Sequence, residues 1–180
     1  MTKIFSLALV FAFAALAGTP SNSVPNGAVQ EIGVRAGGLH FDNLTRQVIY
    51  YGHVVVTNAS GRLSCERLTI DLPPENAADS HPTNAVADIN LDIIYVDNRG
   101  KTNHLVAGRG IYTYSVVNAV TNEMFTFTQH ATNFFDGGWL TGEPLTYDVQ
   151  KQEFNAGSNV ETIFKIRSNG TNGSPFNLSP

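Results

Sequence analysis

The chain has 180 residues, 14% of them charged, and a formal net charge of −4 at pH 7. That length suits one domain with a real core, and the lack of any basic stripe argues against nucleic acid as a partner. Gly, Asn and Thr are abundant, and β-branched and aromatic residues recur throughout, so the composition predicts an all-β protein.

Lys3 supplies one positive charge ahead of Ile4 to Leu16, an apolar run broken only by Ser6. Ala15-Leu16-Ala17 is an Ala-x-Ala cleavage pattern, followed by Gly18 and a polar stretch. This is the layout of a secretory signal peptide, and the run falls short of the roughly twenty apolar residues that span a bilayer. Residues 1–17 are therefore expected to be removed near Ala17, with 18–28 as a Pro/Ser/Asn/Gly linker. Cys65 is the single cysteine, so no intramolecular disulfide framework exists.

From Val29 the pattern is extended. Val29 to Arg35 and Ala36 to Asp42 read as strands, a turn at Asp42-Asn43 leads into the long run Arg46 to Asn58, and Asn58-Ala59-Ser60-Gly61 reads as a hairpin turn. Ser60 to Leu72 follows, then a polar loop from Pro73 to Asn84. Strands resume with Val86 to Val96, turn at Asp97-Asn98-Arg99-Gly100, and continue through Lys101 to Ala107, Glu123 to Phe135, Gly138 to Asp148 and Gln152 to Ile166. Residues 167–180 form a Gly/Ser/Asn/Pro tail expected to be disordered.

The chain repeats itself. Ser60-Gly-Arg-Leu-Ser-Cys-Glu-Arg-Leu-Thr-Ile-Asp71 and Gly137-Gly-Trp-Leu-Thr-Gly-Glu-Pro-Leu-Thr-Tyr-Asp148 share Gly, Leu, Glu, Leu, Thr and Asp at matching places, 77 residues apart. Ala36-Gly37-Gly38-Leu39-His40-Phe41 is echoed by Ala107-Gly108-Arg109-Gly110-Ile111-Tyr112 at a shorter offset, with the extra residues expected in a longer turn around Val116 to Thr121. The repeats thus run over about 36–72 and 107–148, inside a domain of 29–166.

Comparing the copies decides which face is buried. Val48, Tyr50, Val54 and Val56 correspond to Phe125, Phe127, Ala131 and Asn133, whereas Ile49, Tyr51, His53 and Val55 correspond to Thr126, Thr128, His130 and Thr132. Strand side chains alternate with a period of two, so the first set should face inward and the set with His53 outward. In both copies the phase slips: Leu63 and Cys65 share a parity that Leu68 and Ile70 do not. A bulge or bend at Glu66-Arg67 and Glu143-Pro144 would return all four to one interior. Large apolar side chains, among them Phe134, Phe154 and Phe164, are expected to fill that interior.

No catalytic signature emerges. Gly-x-Ser-x-Gly, Walker-type loops and His-Glu-x-x-His are absent, and the five histidines never come at helical metal spacing. The repeated acids Glu66/Glu143 and Asp71/Asp148 read as turn-forming or strand-end residues rather than paired acids. Neither an enzyme nor a cofactor is expected.

Ala36-Gly-Gly-Leu-His-Phe-Asp, Val48-Ile-Tyr-Tyr-Gly-His-Val-Val-Val and Leu63-Ser-Cys-Glu-Arg-Leu-Thr-Ile-Asp together resemble the LptA/OstA-like (organic solvent tolerance-like) repeat, and 107–148 resembles it again. The resemblance covers about residues 29 to 157, with His53 in place of the usual Asn after Gly52. It implies a β-jellyroll of two facing antiparallel sheets built from two sequence repeats. It also implies a periplasmic protein whose apolar interior holds lipopolysaccharide acyl chains during export to the outer membrane. The partners implied are lipopolysaccharide or a related lipid, and other OstA-like domains of the inner- and outer-membrane machinery joined by end-to-end strand pairing, with a homo-oligomer as one form. The lipid contacts expected are Phe41, Val48, Tyr50, Val54, Val56, Leu63, Leu68 and Ile70, with Phe125, Phe127, Ala131, Leu140, Leu145 and Tyr147 from the second copy. Two other readings stand beside this one: a membrane-anchored relative resembling LptC, and a structural β-scaffold of the envelope with a solid core.

Overall fold

The computed structural model describes residues 32–75, 81–97 and 99–165. The expected signal peptide, linker and tail lie outside the described residues, as does part of the polar loop after Pro74. Every regular element is a β-strand: β1 Gly33–Arg35, β2 Gly38–Asp42, β3 Gln47–Asn58, β4 Gly61–Asp71, β5 Asn84–Val96, β6 Thr102–Val117, β7 Val120–Thr128, β8 Thr132–Phe135, β9 Gly138–Asp148 and β10 Glu153–Phe164.

Short side chains set the turns. The Asp42 carboxylate accepts from the amides of Leu44 and Thr45, Asn58 Oδ1 from those of Ser60 and Gly61, and Asp97 from those of Arg99 and Lys101. Each is an Asx-type turn, in which a side-chain oxygen replaces a backbone acceptor. The extra residues expected to lengthen a turn around Val116 instead extend the strands: β6 and β7 pair out to Val117 and Val120. Only Asn118 and Ala119 are left between them, both at positive φ as a tight hairpin turn requires.

All pairings are antiparallel, in the order β1-β3-β4-β5-β6-β7-β9-β10. β1 and β2 lie end to end along β3, and β7 and β8 lie end to end between β6 and β9. The ten strands therefore act as eight long, bent ones in sequence order. The two expected layers are the two halves of one hydrogen-bonded sheet, folded along a line of bends.

The bends come in two alternating forms. In β3, β5 and between β7 and β8, two consecutive residues take positive φ: Gly52-His53, Ile89-Asn90 and Gln129-His130. The register of β3 on β4 shifts between Tyr51 and Val54, as a bulge does. The inward residues Val48 and Tyr50 keep parity with Val54 and Val56 across it. In β4 the parity itself changes: Val54 faces Cys65, and Tyr50 faces Leu68, so Leu63, Cys65, Leu68 and Ile70 all share the interior. The shift on the β5 side falls between Ser64 and Arg67, where the sequence places it. In β9 the equivalent point is a cis Glu143-Pro144 bond.

One cluster gathers the buried side chains of both halves, including Val54, Val56, Ile93, Leu105, Phe127 and Leu145. Burying each such side chain contributes about 1.5–3 kcal/mol, which makes this cluster the main stabilising feature. Phe134 is a correction to the expected interior. It pairs across strands with His104 and Trp139 on the outer face and is 41% exposed, its ring 5.8 Å from that of His104.

Candidate functional site

The interior is the candidate site, and the fold brings most of the sequence-predicted contacts into it. Val54, Val56, Leu68, Ile70, Phe125, Phe127, Ala131, Leu145 and Tyr147 are buried in the common cluster. Val48, Tyr50, Leu63 and Leu140 are half-buried and pack against it. Phe41 is 40% exposed on the edge strand β2. Sequence reasoning passed over the central strands β5 and β6, which contribute Leu91, Ile93, Tyr95 and Leu105. The odd-numbered apolar positions from Ala85 to Tyr95 carried that signal.

The interior is open at two places, which lie diagonally. On the β1/β2 edge, Ile32 and Val34 cover one half of the sheet, while Leu39 and Phe41, opposite the inward Tyr50 and Val48, remain exposed. On the β10 edge the pattern is reversed. Phe154 and Ala156 cover Tyr147 and Leu145, whereas Thr162 opposite Leu140 and Phe164 opposite Gly138 are exposed. Phe164 is 70% exposed. Among the described residues, each edge thus offers a strand with one free side beside exposed apolar side chains.

The bends explain the repeated acids. Glu143 accepts from the amides of Gln129 and His130, and Glu66 from that of His53 while pairing with its ring Nδ1 at 2.9 Å. Backbone bonds tie the neighbouring strand at the same level, Gly37 N to Gly52 O and Gly108 N to Gln129 O. His53 and His130 lie four strands apart, roughly 19 Å at the usual strand spacing, so they cannot share an ion. Among the described residues no group of three His, Cys, Asp or Glu is placed to hold a metal. Burial pushes the Cys65 thiol up to about 12, which makes it a poor nucleophile.

Polar groups mark both ends of the interior. At one end the Tyr95 hydroxyl donates to Asn133 Oδ1 at 3.3 Å, and Asn103 Nδ2 donates to the Lys101 carbonyl. At the other, the Tyr112 hydroxyl donates to Glu123 at 3.0 Å, and the His81 ring stacks on Tyr114. Burial raises the Glu123 carboxyl above its ordinary range, against the opposing pull of Tyr112 and His81. Most of the interior surface is apolar.

No family model matches the chain, and no curated protein does. Among solved structures it is similar to LptH, described as the LptA homologous periplasmic component of the conserved lipopolysaccharide transport device from Pseudomonas aeruginosa. The TM-score is 0.62 at 18% identity, over 76% of this chain and 96% of that one. The chain has the LptA/OstA-like fold.

Proposed function

We propose that this chain is a periplasmic carrier or bridge protein in lipopolysaccharide export, with acyl chains held in the apolar interior and no catalysis of its own. The observation that carries the reading is the pair of diagonal openings. An interior lined by both sequence copies reaches each edge strand at Leu39 and Phe41 on one side and at Phe164 on the other. The likeness in fold to a component of such a transport device supports it. Burying hydrocarbon is favourable at about 25 cal/mol per Å² of apolar area, so affinity needs no dedicated polar contacts. The open edge strands suit strand addition by other domains of the same fold.

A photo-crosslinking residue placed at Tyr50 or Phe127, both on the inner face, should capture lipopolysaccharide from membranes. One at His53, whose side chain is 91% exposed on the bend, should not. Equal labelling from the two faces would overturn the proposal. The structural-scaffold reading is favoured by one observation, the complete burial of Val54, Val56, Leu105 and Leu145, and it predicts no capture at either inner position.

A further inference from the structure

We infer that Asn133 is a specificity-determining residue of the interior, reading an oxygen atom carried by the bound hydrocarbon chain. The inference rests on the proposed lipid-holding role. In the register across the sheet, Asn133 stands between Leu105 and Leu140, and Leu140 faces Thr162 on the open stretch of β10. It is the first buried polar side chain met on passing inward from that opening. Only 5% of it is exposed.

Packing alone would not select this residue. Its partner in the first sequence copy is Val56, fully buried and apolar, and a buried amide costs free energy unless all its donors and acceptors are satisfied. An Asn side chain has an acceptor oxygen and a two-proton donor nitrogen. Tyr95 engages one end, at 3.3 Å. The other end has no hydrogen-bond partner among the described residues. Arg109 Nε is the one side-chain nitrogen or oxygen among them that is both fully enclosed and without a hydrogen bond, so the free end of Asn133 borders accessible space. Turning the amide over exchanges the two ends and leaves the count unchanged, because the Tyr95 hydroxyl can donate or accept.

The group that completes this amide is a hydroxyl or carbonyl oxygen on an otherwise apolar chain, at a fixed distance from the β10 opening. A chain without such an oxygen fits the same interior but leaves the amide unpaired. The interior would therefore prefer an oxygen-bearing acyl chain over its plain counterpart, and would fix how deeply that chain enters.

The experiment uses the exported full chain and competition against an environment-sensitive apolar dye. The competitors are dodecanoic acid and its counterparts carrying a hydroxyl, or a keto oxygen, at successive carbons. For one position of the oxygen, affinity should exceed that of the plain acid about tenfold, the worth of one well-placed hydrogen bond. Asn133→Val, which copies the first repeat, should reduce that ratio to less than about twofold while holding the affinity for dodecanoic acid. Asn133→Ala serves if the valine variant does not fold. A preference unchanged in the Asn133 variants, or none in the wild type, overturns the inference while leaving the lipid-holding role standing. Failure of every acid to displace the dye overturns that role as well.

Discussion

The Glu143 carboxylate holds the backbone amide of His130 at 3.1 Å, and its second oxygen holds that of Gln129 at the same distance. Both amides belong to residues at positive φ, a conformation that non-glycine side chains adopt at a cost. Two charge-assisted bonds to one carboxylate offset that cost and fix the bend between β7 and β8. The first copy is built more weakly. Glu66 accepts from His53 N at 3.4 Å, and its side-chain contact is to a ring almost wholly in solvent.

The two acids should therefore differ when removed. Glu143→Ala is expected to cost about 1–2 kcal/mol, since it removes two charge-assisted bonds to amides at a bend and leaves those amides to water. Glu66→Ala is expected to cost less than about 1 kcal/mol, because a long hydrogen bond and a contact to an exposed ring contribute little. Urea unfolding midpoints measure both, and equal losses would show that the carboxylates do not set the bends.

Much of this was legible because the chain repeats. In β3 alone both faces look apolar, and only the polar Thr126, Thr128 and His130 of the second copy reveal the outer side. The slip in β4 could be seen in the spacing of Leu63, Cys65, Leu68 and Ile70, because burial demands one interior. The bend in β5 could not. Ile89-Asn90 carries no glycine or proline, and it bends because its neighbours in the sheet do. Phe134 was expected inside on size, yet two residues of bend and the turn to Ala131 fix its parity outward, where His104 gives it a partner. Asn133 was visible as an inward position, but its pairing with Tyr95, 38 residues away, is a tertiary fact.

Glu123 gives a pH dependence of definite sign. Burial raises its carboxyl above the ordinary value of 4.5, so between that value and its folded value the native state binds more protons than the unfolded chain. Stability must then fall as pH rises through that window. Glu123→Gln keeps an acceptor for the Tyr112 hydroxyl and removes the charge. The variant should gain on the wild type in urea midpoint from pH 4.5 upward and match it more closely below. A variant whose midpoint parallels the wild type at every pH would remove Glu123 from the account.

Leu145 and Leu140 occupy matching inward places on β9, on opposite sides of its bend, but only Leu145 is fully covered. Leu145→Ala should leave a cavity and cost about 3–4 kcal/mol, whereas Leu140→Ala, beside the uncovered stretch of β10, should cost about 1–2 kcal/mol. With lipid bound, the cost of Leu140→Ala should rise if the opening is where chains enter, because Leu140 then touches the ligand and its truncation loses that contact as well. Chemical unfolding with and without dodecanoic acid supplies the comparison, and equal costs would mean that the interior is closed at both places.

In the proposed head-to-tail pairing of copies, the β10 edge of one molecule lies against the β1/β2 edge of the next. Such a contact is heterologous and propagates unless blocked. Phe41→Asp and Phe164→Asp each place a charge beside one edge, which discourages strand addition there. Either variant alone should sediment as a monomer at concentrations where the wild type forms chains. Mixed together they should form dimers and nothing longer, since each retains the edge that the other has lost. Val117→Asp, at the exposed tip of the β6–β7 hairpin, should assemble like the wild type. If the mixture stays monomeric while the wild type assembles, the edges are not the contact, and if the wild type never assembles, the partners of these edges are other chains.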